Sequence, residues 1–123
     1  MRKHNKSSAF VEDLLRPVGI PLAYRRFYPT KSSPAPAPPY MVYYLSQERA
    51  EGADDGVLLV HRHVVLELYT ERPDGDLESR IEAALCRIDW EKDEEEIEAE
   101  AVNLITYEFE IIEKRRTDNE QKR

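Results

Sequence analysis

The hydrophobic positions of this chain change period several times, and each change marks an element. From Gly56 to Thr70 (GVLLVHRHVVLELYT) the period is two. One side of that stretch carries Leu58, Val60, Arg62, Val64, Leu66 and Leu68, and the other carries Val57, Leu59, His61, His63, Val65, Glu67 and Tyr69. Strict alternation with many β-branched residues predicts a central strand whose first set faces the core. The second set is half apolar and half polar, which suits burial against another subunit.

Four more strands are expected. Leu104 to Glu113 (LITYEFEIIE) alternates most cleanly, with Ile105, Tyr107, Phe109 and Ile111 inward. Tyr40 to Gln47 is apolar or aromatic on both sides, and Glu48 to Asp55 reads as a charged hairpin turn leading into the central strand. Ile20 to Tyr28 reads as a first strand, with Pro21 restricting its start to an edge. In the acidic stretch after Trp90, Ile97, Ala99 and Ala101 alternate with Glu96, Glu98 and Glu100, as in a solvent-edged strand. Its Glu and Ala content also suits a helix.

The period lengthens to that of a helix twice. Phe10, Val11, Leu14 and Leu15 form a short stripe, capped by Ser7 or Ser8 and ended by Pro17. Leu77, Ile81, Ala84, Leu85 and Ile88 form a longer one behind an Asp76 cap. Each large side chain buried there contributes about 1.5–3 kcal/mol, so Ile81→Asp or Leu85→Asp should be among the most damaging changes. Cys86, beside this stripe, is expected as a packed thiol. Between the first two strands, Pro29 to Pro39 (PTKSSPAPAPP) forms an extended excursion. It is either a solvated loop or an arm along a neighbouring subunit.

The expected fold class is therefore α+β: helix–three strands–helix–two strands, with a mixed or antiparallel sheet and both helices packed on one face. Residues 1–123 form a single domain in this reading, with an ordered core over about residues 8–113 and polar tails at residues 1–6 and 114–123.

Composition narrows the partners. The net charge is −7 with 35% charged residues, which argues against nucleic acid because phosphate neutralisation needs a basic face. No segment has the apolar length to cross a bilayer, and the basic start MRKHNKSS is followed by no signal-like apolar run. A soluble, unprocessed chain is expected. Cys86 is the single cysteine, so neither an intramolecular disulfide nor a cysteine-based zinc site is expected.

Candidate chemistry is sparse. No nucleophile–base pair or phosphate-cradling glycine loop stands out, so a non-enzyme without catalytic residues or cofactor is expected. His61 and His63 lie on one side of the central strand at a chelating spacing, but no third ligand is indicated, and no metal is expected. The acidic run lacks the Asp/Asn/Gly pattern of a calcium loop. An interface role fits better, and the candidate oligomer-interface residues are His61, His63, Val65, Tyr69 and, on the second strand, Tyr43.

The segments GIPLAYRRF, PPYMVYYL, HVVLELYTERPDGDLESRIEAAL and ITYEFEII, in this order behind a short opening helix, resemble the small tail-terminator and minor tail proteins of long-tailed phages and prophages, the lambda U-type fold. The likeness covers about residues 8–113 and is strongest in ELYTERPDGDLESRIEAAL and in the terminal YEFEI strand. The Pro29–Pro39 insertion is longer than that pattern. The resemblance implies a structural ring subunit, commonly a hexamer, which ends the tail tube, stops its polymerisation and allows head attachment. The implied partners are further copies of the chain, the tail tube protein and the head–tail connector protein. The implied location is the virion tail, reached through the host cytoplasm during assembly. A head–tail joining (neck) protein is the alternative, and a small metal-dependent enzyme using His61 and His63 is a more distant one.

Overall fold

The computed structural model describes residues 6–52 and 56–116. Along the chain come α1 (Lys6–Leu15), β1 (Leu22–Tyr24), β2 (Tyr40–Gly52), β3 (Val57–Thr70), α2 (Gly75–Ala84), β4 (Trp90–Ile97) and β5 (Val102–Arg116). The strands form one sheet in the order β1-β2-β3-β5-β4, with β3 in the middle. All neighbours are antiparallel except β1 and β2, which run parallel. Among the described residues no helix is long and apolar enough to cross a membrane.

The expected fold class, α+β as helix–three strands–helix–two strands, is corrected by this arrangement. The molecule is sheet-rich, with 50% strand and 24% helix, and its five-stranded sheet is mixed. The three-strand block expected between the helices is not a block of equals. Instead of spanning Ile20 to Tyr28, β1 is a three-residue strip beside Met41–Tyr43. Pro21 has no N–H to give a ladder, although its carbonyl accepts from the Met41 N–H at 2.8 Å. Arg25 then adopts φ 74°, a left-handed conformation that turns the chain off the edge.

Several boundaries also move. The charged stretch expected as a turn from Glu48 continues β2 as far as Gly52, because its residues pair with β3 up to Leu58. The rest of that turn, residues 53–55, lies outside the described residues. Asp74, not Asp76, caps α2: its carboxylate accepts the Leu77 N–H at 3.1 Å. The acidic strand stops at Ile97, and a 3-10 turn over Glu98–Glu100 followed by Ala101 at φ 55° reverses the chain into β5. Ser7 lies inside α1 and is buried, and Cys86 is exposed rather than packed. Regular structure passes both ends of the expected 8–113 core, since β5 takes in residues 114–116 of the expected tail. Of the expected tails, residues 1–5 and 117–123 lie outside the described residues.

Alternation decides what each strand buries. Met41 and Tyr43 of β2, Val64, Leu66 and Leu68 of β3, and Ile105, Tyr107, Phe109 and Ile111 of β5 share one face. Val11 and Leu15 of α1, Val18 in the following turn, and Leu77, Ile81 and Leu85 of α2 and its exit complete the core on that side. Several polar groups join this face and are paired there. The Tyr107 hydroxyl donates to Glu82 at 2.8 Å, and Lys92 reaches Glu82 at 2.7 Å and Glu78 at 3.1 Å. The Lys92 bond is the main reason the Glu82 carboxyl stays below the usual carboxylate range.

Arg62 is a buried charged group on this face. It bonds Glu113 and Ser7, and reaches Glu48 at 3.0 Å, so β2, β3, β5 and α1 meet at one guanidinium. Burial pushes the Glu113 carboxyl upward, but the bonds from Arg62 and Arg115 outweigh it and hold this group below the usual range. A carboxyl depressed in this way stabilises the fold above its unfolded pKa, and that contribution is lost as pH falls through the folded value.

Urea unfolding checks both halves of this core. Ile81→Ala should lower stability by about 2–5 kcal/mol. Arg62→Ala leaves the largely buried Glu113 with only the exposed Arg115 beside it and should cost about 3 kcal/mol near neutral pH, the low end for a broken buried pair. That second penalty should shrink in acid, because a protonated Glu113 no longer needs the guanidinium.

Candidate functional site

The helices cover one face of the sheet, and the other face takes the opposite parity of every strand. There β2 contributes Tyr40, Val42, Tyr44, Gln47, Arg49 and Glu51, which lie beside Tyr69, Glu67, Val65, His63, His61 and Leu59 of β3. Across β3, the strand β5 adds Leu104, Thr106, Glu108, Glu110 and Ile112, and β4 adds Glu91, Asp93 and Glu95 beyond it. Carboxylates dominate the β4–β5 side of this face.

Four of the five expected interface residues lie here. His61 and His63 point to the same side, as their spacing requires, but each turns to different carboxylates. The His61 Nε2 lies 3.0 Å from Glu51 and its Nδ1 lies 3.7 Å from Glu110, while the His63 Nε2 lies 2.8 Å from Glu108. Among the described residues no three His, Cys, Asp or Glu side chains are grouped to hold a metal ion. Val65 is 7% exposed. The Tyr69 hydroxyl donates to Glu67 at 3.0 Å; burial first, and this bond second, push its pKa well above the usual tyrosine value.

Tyr43 requires correction as an interface residue. It is on the helix face, fully buried, with its hydroxyl 2.6 Å from Glu12 of α1 and its ring 5.3 Å from Tyr24. Its register partner is Leu66, whereas the open-face parity of β2 falls on Tyr40, Val42 and Tyr44. A strand apolar on both sides does not reveal its parity, so sequence alone had no signal to place Tyr43.

The end of the open face near β1 is partly roofed by the chain itself. Phe27 stands edge-on to Tyr40 at 5.3 Å, and Tyr40 stacks on Tyr69 at 5.1 Å. Ala35 and Pro36 of the proline-rich excursion border a cavity of about 310 Å³ with Tyr40, Val42, Glu67 and Tyr69. This part of the excursion therefore lies against its own sheet. The face is less greasy than its sequence pattern, because Val42, Val65 and Leu104 are all buried. Ile112, at 58% exposure, is the one large apolar side chain on it that stands out among the described residues.

The strand edges differ from the face. β4 pairs with β5 only from Val102 to Phe109, and β1 pairs with β2 only from Met41 to Tyr43. Among the described residues, no strand lies on the outer side of residues 110–116 of β5 or on the outer side of the β2 residues that follow Tyr44. Next to the free part of β5 is a groove of about 400 Å³, walled by Phe10, Ile88, Ile111 and Ile112 with Ser7 and Glu113 at its polar end. The pairing pattern was not visible in sequence, because it depends on where β4 begins relative to β5.

No protein-family model matches this chain. No curated protein matches it either.

The two faces make different demands on substitution. Tyr43→Phe should lower stability by about 0.5–1.5 kcal/mol through loss of the bond to Glu12, measured by urea unfolding, and should leave the state of association unchanged.

Proposed function

We propose that this protein is a phage tail-terminator-like structural subunit. In this reading copies form a ring, commonly of six, at the end of the tail tube, stop its polymerisation and present a surface for the head–tail connector protein. The likeness of the quoted segments to that family carries the reading. Three physical features support it. The central strand, α2 and β5, which hold the strongest part of the likeness, pack into one core through Leu66, Leu68, Leu77, Ile81, Ile105 and Tyr107. One sheet face is left without helices and is rich in carboxylates, a surface that can recognise a tube end by shape and charge. Among the described residues, strand edges without a partner strand lie on both flanks of the sheet, and such edges are natural sites for adding another chain.

Mechanistically, a terminator has to occupy the growing end of the tube without offering the next tube subunit a site. A subunit that binds the tube end through its open face and offers no tube-like surface on its helix side fulfils both demands.

Adding the purified protein to polymerising tail tube protein tests the reading. Electron microscopy should show rings on tube ends, and mean tube length should fall as the protein is increased. Unaltered tube growth with bare ends at saturating protein would sink it.

A further inference from the structure

We propose that two copies of this chain pair through the free edge of β5, antiparallel about Ile112, joining their sheets into one. This contact involves one margin of the open face and one of the two flanks, and it can be tested separately from the ring reading.

The first argument is space along the edge. A partner strand lying beside residues 110–116 of β5 must avoid β4, which occupies the same lane from Phe109 downward, where Trp90 pairs with it. A β2 strand from another copy, laid parallel at the same height, would have its residues before Gln47 running into β4. An antiparallel β5 meets this obstacle only at its end. Residues 110–114 of the two copies fit the window, while Arg115 and Arg116 fall opposite Phe109 and Glu108, which β4 already pairs, and turn out of the ladder there.

The second argument is the pleat. With both helix layers on the same side, the residues facing each other must share a face, so the two numbers of each facing pair add to an even total. Centring on Ile112 meets this condition. It sets Ile112 against its own copy and Glu110 against Lys114 in both directions, all on the open face. Centring one residue further on, at Glu113, would oppose two carboxylates. The charges therefore favour the Ile112 register.

The third argument is exposure. Ile112 is 58% exposed on the open side of the strand, and Phe10 of α1 is 47% exposed beside the same edge. Both lose water contact when a strand is laid there. The edge of β2, in contrast, has the irregularity between Leu45 and Gln47 and the charges Glu48, Arg49 and Glu51, devices that keep strands from pairing.

Light scattering across a concentration series, with the full chain, tests the pair. The wild type should approach twice the chain mass. Ile112→Asp should weaken association about tenfold or more. Glu110→Lys and Lys114→Glu should each weaken it several-fold by opposing like charges, and the double exchange should restore it. In a Cys86→Ser background, Ile112→Cys should form an intermolecular disulfide under mild oxidation. Far-ultraviolet circular dichroism separates these effects from misfolding. A monomer at every concentration overturns the proposal, as does association indifferent to Ile112→Asp or left unrestored by the double exchange. Tube capping by a monomeric protein would overturn this pair while leaving the ring reading intact, and a dimer that ignores tubes would do the reverse.

Discussion

A slip of one residue between β3 and either neighbour would turn Arg62 to the opposite face, away from every group that neutralises it. That constraint underlies the structure. Hydrophobic alternation alone tells β3 which side to bury, but many shifted pairings bury some apolar set. A guanidinium on the buried side is less forgiving, because it must meet Glu113 on β5, Glu48 on β2 and Ser7 on α1 together. The continuous pairing of β3 with β5, from Val57–Arg116 to Thr70–Asn103, keeps these groups at one height. The docking of α1 follows from the same cluster. A helix this short has little stability of its own, and it is held by Val11 and Leu15 in the core and by Ser7 at the guanidinium.

The two faces solve the problem of apolar surface differently. On the helix side, whole side chains are removed from water by α1 and α2. On the open side, Val42, Val65 and Leu104 are buried without helices, and Val42 lines the cavity bordered by the loop between β1 and β2. Around them Glu51, Glu108 and Glu110 engage the imidazoles of His61 and His63, so the middle of the face is polar where its sequence alternation looked half greasy. Attention then moves from the face to its margins. There, unpaired backbone and the side chains of Ile112 and Phe10 are what water is left to cover.

What could be read from the residues in order was local: period two over β3 and β5, period near 3.6 over α1 and α2, and Pro17 and the proline-rich stretch as interruptions. These follow from side-chain sterics and from the geometry of a single element, which a short window contains. The buried set of β3, including Arg62, and the inward set of β5 belong to this class. The length of β1, the parity of Tyr43, the cap at Asp74 and the exposure of Cys86 did not, and neither did the sheet-rich balance of the whole. Each depends on a partner distant along the chain: where Pro21 and Arg25 let an edge form, which residue of β3 stands opposite Tyr43, how α2 leaves the core. Pairing across a sheet is a relation between strands, and no window on one strand contains it.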